Sequence, residues 1–494
     1  MAVIYGLILV SIFYTAISAS LAELSSSMPS AGGVYYWSSV LSRSRGRGAG
    51  FFTGYLNACA WLLSASSMSS ILGNEAVAMY LLRHMDIDWQ AWHVFIVFQI
   101  VNWSCCAIVC FGNRFIPLFN RIAFTLSMVG LVVTVIVLAV MPKKHASNAQ
   151  VWTKYQNRTG GWSDGVCFMT GLLNAAFAVG TPDCISHLSE EGIFLAPRVG
   201  KNPANTILIV PKPEVRVPQG IMLQMLTAFT SSFVYLIALF YSIQDLDAVY
   251  ASNIGFFPTA EIYRQATGSN AGAVGLIAVL FLATFPTLIG TFVTGGRMWW
   301  SLSRDNATPF ASYFAQVHPT LNCPVRATVA MSVMVTLLGC IYVGSTTAFQ
   351  ALISSFIVLS SLSYFGAIFP HVLSGRRNMV PGPFYMGQNL GMAVNITALM
   401  YILVTVVFFC FPLVLPVTVQ NMNYTSVITV GLMALTATWW IFRGRREYQG
   451  PQYSFEAAER LSAFQAGKEG RRSFIDIASP SPTACLDDHA HVRR

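Results

Sequence analysis

With 494 residues, 54% hydrophobic and only 10% charged, the chain cannot build a water-soluble surface, which takes about 25% charged residues. Its net charge of +9 comes from Lys and Arg clustered between apolar runs, which excludes a basic nucleic-acid-binding face and fits loop charge at a membrane surface. A bilayer offers the backbone no hydrogen-bond partners, so the chain must form helices or closed barrels, and unbroken apolar runs of about 20 residues choose helices.

Eleven spans are predicted, near residues 2–22, 50–72, 91–111, 122–141, 166–186, 220–241, 272–294, 327–344, 348–372, 390–415 and 425–442. The first starts directly after Met1. A secretory signal peptide is the alternative for residues 4–18, but its basic flank is missing. Glu23 and the segment Pro29-Ser30-Ala31-Gly32-Gly33-Val34-Tyr35-Tyr36-Trp37 follow; the Gly pair permits a tight re-entry, and the aromatics fit a membrane interface.

The span at 166–186 carries Phe177-Ala178-Val179-Gly180-Thr181-Pro182-Asp183 past its midpoint. Pro182 lacks an N–H and disfavours helix in Thr181, while Gly180 tolerates unusual dihedrals, so a helix interrupted here is expected. In lipid, bare peptide groups are tolerated where they line a cavity, which makes Gly180, Thr181 and Pro182 candidate substrate-binding residues. A Pro kink that only bends the span is the alternative. Asp183 at such depth is expected to face a pathway or a partner, for which an amine is suited; a hydrated place near the cytoplasmic surface is the other reading. Phe177 is placed to gate the site or to stack on a cationic head group, against simple packing.

Between residues 284 and 296 small and hydroxylated residues cluster, among them Thr287 and Thr291. They allow close helix packing and offer oxygen ligands to a cation. Residues 192–211 read as a turn-rich insertion, or a retained intron. Residues 448–494 read as a disordered cytoplasmic tail after a membrane domain at 1–447.

One alternate set of loops holds fourteen Lys and Arg and the other six, before the tail is counted, which places the C-terminus in the cytoplasm. The sequons at Asn157 and Asn423 then fall outside. Ten cysteines are scattered, most of them inside apolar runs, and the eight histidines form no H-x-x-H pair. With no Walker loop and no nucleophile elbow either, the chain is not expected to be an enzyme, and no metal or cofactor is expected.

These segments together resemble the amino acid-polyamine-organocation superfamily, and within it the fungal permeases for amino acids, GABA and choline. The likeness is carried by Glu23-Leu24-Ser25 with Met28 to Tyr35, by Gly180 to Asp183 with His187-Leu188-Ser189-Glu190-Glu191, by Val217-Pro218-Gln219-Gly220-Ile221, and by Arg297-Met298-Trp299-Trp300 with Ser303-Arg304-Asp305. The first follows the family's second helix, the last the loop after its eighth. The resemblance implies an all-α polytopic membrane protein with the leucine-transporter-type inverted-repeat fold, in which substrate sits at broken first and sixth helices. By that alignment the sequence begins at the second helix, and the expectation is that the gene encodes an upstream helix not included here. It implies gradient-driven import of a small amino compound by alternating access, with the bilayer and a coupling ion, proton or sodium, as partners. A non-transporting sensor or a degenerate permease copy is the alternative.

Overall fold

A helix stands at each of the eleven predicted positions in the computed structural model of the chain, which describes residues 1–451 apart from 31, 43–44, 88, 189–211, 253, 255–256, 322 and 420. In chain order the elements are α1 (Ala2–Ser27), α2 (Val34–Leu41), α3 (Gly46–Leu81), α4 (Ala91–Phe111), α5 (Ile116–Val140), α6 (Asn148–Trp152), α7 (Asp164–Val179) and α8 (Pro213–Ser242). They continue with α9 (Leu246–Ala251), α10 (Pro258–Thr267), α11 (Asn270–Arg304), α12 (Ala311–Phe314), α13 (Val325–Gly344), α14 (Thr346–Leu373), α15 (Gln388–Phe408) and α16 (Thr425–Trp439). Among the described residues there is no strand, and nine helical segments are long and apolar enough to cross a membrane. The expected insertion at 192–211 lies outside the described residues, as does the expected tail from residue 452 onward.

Two of the eleven positions miss that standard for different reasons. The 16 residues of α7 reach about 24 Å at 1.5 Å per residue, short of a hydrocarbon core of roughly 30 Å. The 36-residue α3 is long enough, but it is rich in serine and carries Asn57 and Glu75, both buried. Small residues on α3 let neighbours approach closely, and it packs against α14, α11, α2 and α4. In contrast, α5 exposes Leu118, Ile122, Phe124, Val132 and Ile136, the outward apolar surface of a helix whose surroundings are lipid.

Three expectations about local structure are corrected. Arg297-Met298-Trp299-Trp300 is not in a loop: α11 runs on to Arg304, because Met298, Ser301, Leu302 and Ser303 are buried against protein, so the helix need not stop where lipid would. Tyr35 and Trp37 are fully buried rather than interfacial, since the turn at Gly33, with φ +50°, folds α2 inward and the Trp37 indole donates to the Met28 carbonyl at 2.8 Å. Tyr448, assigned to the tail, is fully buried, with its ring centre 5.4 Å from that of Phe51.

Candidate functional site

Where α7 stops, the residues that follow explain the stop. Pro182 can neither donate to the helix ladder nor leave Thr181 free to adopt helical dihedrals. A Cβ on residue 180 would overlap the Ala176 carbonyl oxygen and lie 3.2 Å from the Tyr14 hydroxyl, so only glycine lets the chain turn this tightly against α1. Beyond the turn, a short 3-10 helix covers Ser186–Leu188. The last carbonyls of α7 thus point into the protein interior, and a helix C-terminus carries roughly half a negative charge.

Asp183 is 1% exposed, and its carboxylate is surrounded by donors. Oδ2 accepts from Asn57 Nδ2 at 2.8 Å and Trp61 Nε1 at 3.1 Å, with His187 Nε2 at 3.4 Å. Oδ1 accepts from the Tyr364 hydroxyl at 2.5 Å. One helical turn separates Asn57 from Trp61 on α3, while Tyr364 comes from α14, so the carboxylate ties the break to two helices that also pack on each other. The hydrated location is thereby excluded. Each carboxylate oxygen already accepts from protein donors in this conformation, so Asp183 is engaged in holding the turn.

Thr181 is held from a third side, its carbonyl and hydroxyl accepting from Gln224 Nε2 of α8 at 2.8 and 3.1 Å. Aromatic rings surround the turn. The Tyr364 hydroxyl lies 3.5 Å from the Gly180 carbonyl oxygen, Phe177 meets Phe356 edge-on with ring centres 5.8 Å apart, and Trp61 lies 6.3 Å from Phe356. A helix C-terminus ending among aromatic side chains is chemically suited to a cationic group.

The hydroxyls of Thr287 and Thr291 are not gathered into this cluster. Thr287 is exposed, 3.3 Å from the Ala283 carbonyl, and Thr291 is buried, bonding the Thr287 carbonyl at 3.0 Å. Farther along the same face, Thr294 does reach the break, its hydroxyl 3.4 Å from Cys184 Sγ. Sequence reasoning missed Asn57, Trp61, Tyr364 and Gln224. The available signal was an Asn and a Trp one turn apart in an otherwise apolar run, since polar side chains within membrane helices usually bond to another helix.

Residues 1–433 match the amino acid permease family along nearly the whole described chain. The chain belongs to that family. Within the amino acid-polyamine-organocation superfamily, this permease is 33% identical over 476 residues to a choline transporter of Saccharomyces cerevisiae, covering 95% of this chain and 80% of that one. It is 26% identical to the amino-acid permease BAT1 of Arabidopsis thaliana, covering 91% and 86%. A solved manganese transporter of Eremococcus coleocola superposes with a TM-score of 0.52 at 13% identity, covering 89% and 87%, a likeness of fold alone. The permease is therefore an integral membrane transporter with the leucine-transporter-type fold, and the sensor alternative gains no support from these relatives.

Proposed function

We propose that this permease imports a small amine cation, choline foremost, with amino acids and GABA beside it, by gradient-driven alternating access at the break between Val179 and Ser186. The observation that carries the reading is the end of α7 inside the protein among aromatic side chains, with the Tyr364 hydroxyl 3.5 Å from the Gly180 carbonyl oxygen, the Tyr14 hydroxyl against Gly180 and Phe177 on the last turn of the helix. A trimethylammonium group has no N–H to donate, so ring faces and helix-end carbonyls recognise it without a dedicated carboxylate. The similarity to a choline transporter along 95% of the chain supports the same substrate.

In this proposal Phe177, Gly180, Thr181 and Pro182 contact the substrate, Asp183 holds the turn in shape, and of the two α11 threonines Thr291 serves packing while exposed Thr287 stands apart from the site. The coupling ion is a proton or sodium, the membrane is the plasma membrane, and the C-terminus is cytoplasmic. Radiolabelled uptake of choline, GABA, amino acids and polyamines in permease-deficient cells tests it. Saturable choline uptake is the expected result, and silence across the panel would overturn it. Phe177→Ala should raise the KM for choline about threefold to tenfold, the range that one lost cation–π contact covers, with surface expression unchanged; an unaltered KM would remove Phe177 from the site.

A further inference from the structure

Glu75 is the second buried carboxylate of α3's neighbourhood, and unlike Asp183 it is poorly satisfied. It is 1% exposed, and its Oε2 has no hydrogen-bond partner. Its Oε1 lies 3.3 Å from the Thr284 hydroxyl of α11, but that hydroxyl also lies 2.9 Å from the Leu280 carbonyl oxygen. A hydroxyl has one hydrogen to give, and the shorter contact takes it. The longer contact is then completed by a proton on Glu75 itself.

The titratable groups near Glu75 and on the helices α8, α10 and α13 bring no charge to balance it. Tyr235 of α8 and Tyr263 of α10 share a hydroxyl contact of 2.7 Å close by. Tyr342 of α13 turns to Asn74 at 3.4 Å, and on α10 Arg264 is taken up by Glu261 at 2.7 Å. Among the described residues no cation pairs with Glu75. An ionised carboxylate buried without a partner is costly, and in membrane helices such a group marks an ion or proton path.

We propose that Glu75 is the proton-binding carboxylate of this permease, neutral in the present conformation and unloaded when α8 and α10 shift against α3 and α11. The inference rests on the gradient-driven reading above and names its coupling group. The link to the break is α8, which holds Thr181 through Gln224 and carries Tyr235 to the neighbourhood of Glu75. Glu75 also sits six residues before the end of α3, the end that the loop charges assign to the outside, where protons enter during import.

The test uses the full-length permease in proteoliposomes, with choline as the probe and a trapped pH dye. Choline should drive proton entry into wild-type vesicles, and an inside-alkaline gradient should accumulate it. Glu75→Gln should abolish both, while choline counterflow stays within about twofold of wild type. Gradient-driven accumulation that survives in Glu75→Gln, or wild-type uptake that needs sodium and moves no protons, would overturn the proposal while leaving transport intact. A wild type without counterflow for choline, GABA, amino acids or polyamines would overturn both readings. Should the variant lose counterflow through misfolding, dicyclohexylcarbodiimide, which attacks protonated carboxyls in apolar surroundings, decides on wild-type protein: peptide mass should show Glu75 modified, and an unmodified Glu75 overturns the proposal.

Discussion

Replacing Asp183 with Asn is expected to lower uptake at least about tenfold while the protein still reaches the membrane. The carboxylate accepts from Asn57, Trp61 and Tyr364, with His187 at its edge, and an amide cannot do the same. Turned one way, its NH2 faces the N–H groups of Asn57 and Trp61; turned the other way, it can donate to the Tyr364 oxygen, but the Tyr364 O–H then loses its acceptor on residue 183. Each donor left buried without an acceptor costs about 1–3 kcal/mol, and about 1.4 kcal/mol is a factor of ten in an equilibrium. Insertion is spared because a neutral amide is easier to bury than a carboxylate. Uptake rates and surface biotinylation measured together check this, and wild-type kinetics in the variant would mean that Asp183 does not shape the site.

The division between what the sequence shows and what it hides follows the range of the interactions. The stop in α7 is local chemistry, a proline and a glycine within three residues, so Gly180 to Asp183 are readable without tertiary information. The donors around Asp183 are not, because Trp61 is 122 residues away along the chain and Tyr364 is 181; a fold must bring them together. Hydropathy likewise places the long helices in order but not their ends. Both α3 and α11 run past the predicted spans, to Leu81 and Arg304, where burial against protein replaces burial in lipid. Charge counting has a similar blind spot. Arg376 is counted among the cytoplasmic loop cations, yet it is 4% exposed.

That burial makes Arg376 the position with the largest expected effect on stability. Its Nη2 lies 2.6 Å from Oε1 of Glu23, which is 1% exposed, and 3.0 Å from the Gly387 carbonyl oxygen. The Met386 N–H donates to the same Glu23 oxygen at 3.2 Å, so the pair fastens the end of α1 to the segment between α14 and α15. Removing one partner of a buried ion pair strands the other, at a cost of about 3–5 kcal/mol, against a total stability of about 5–15 kcal/mol for a typical domain. Arg376→Ala should therefore remove a large share of the stability, read as a lower melting temperature and reduced monodispersity in detergent. Replacing both members with leucine should restore much of the loss, because an apolar pair has no stranded charge to bury. A melting temperature unchanged in Arg376→Ala, or a double variant no better than the single one, would show that the ion pair does not hold α1 in place.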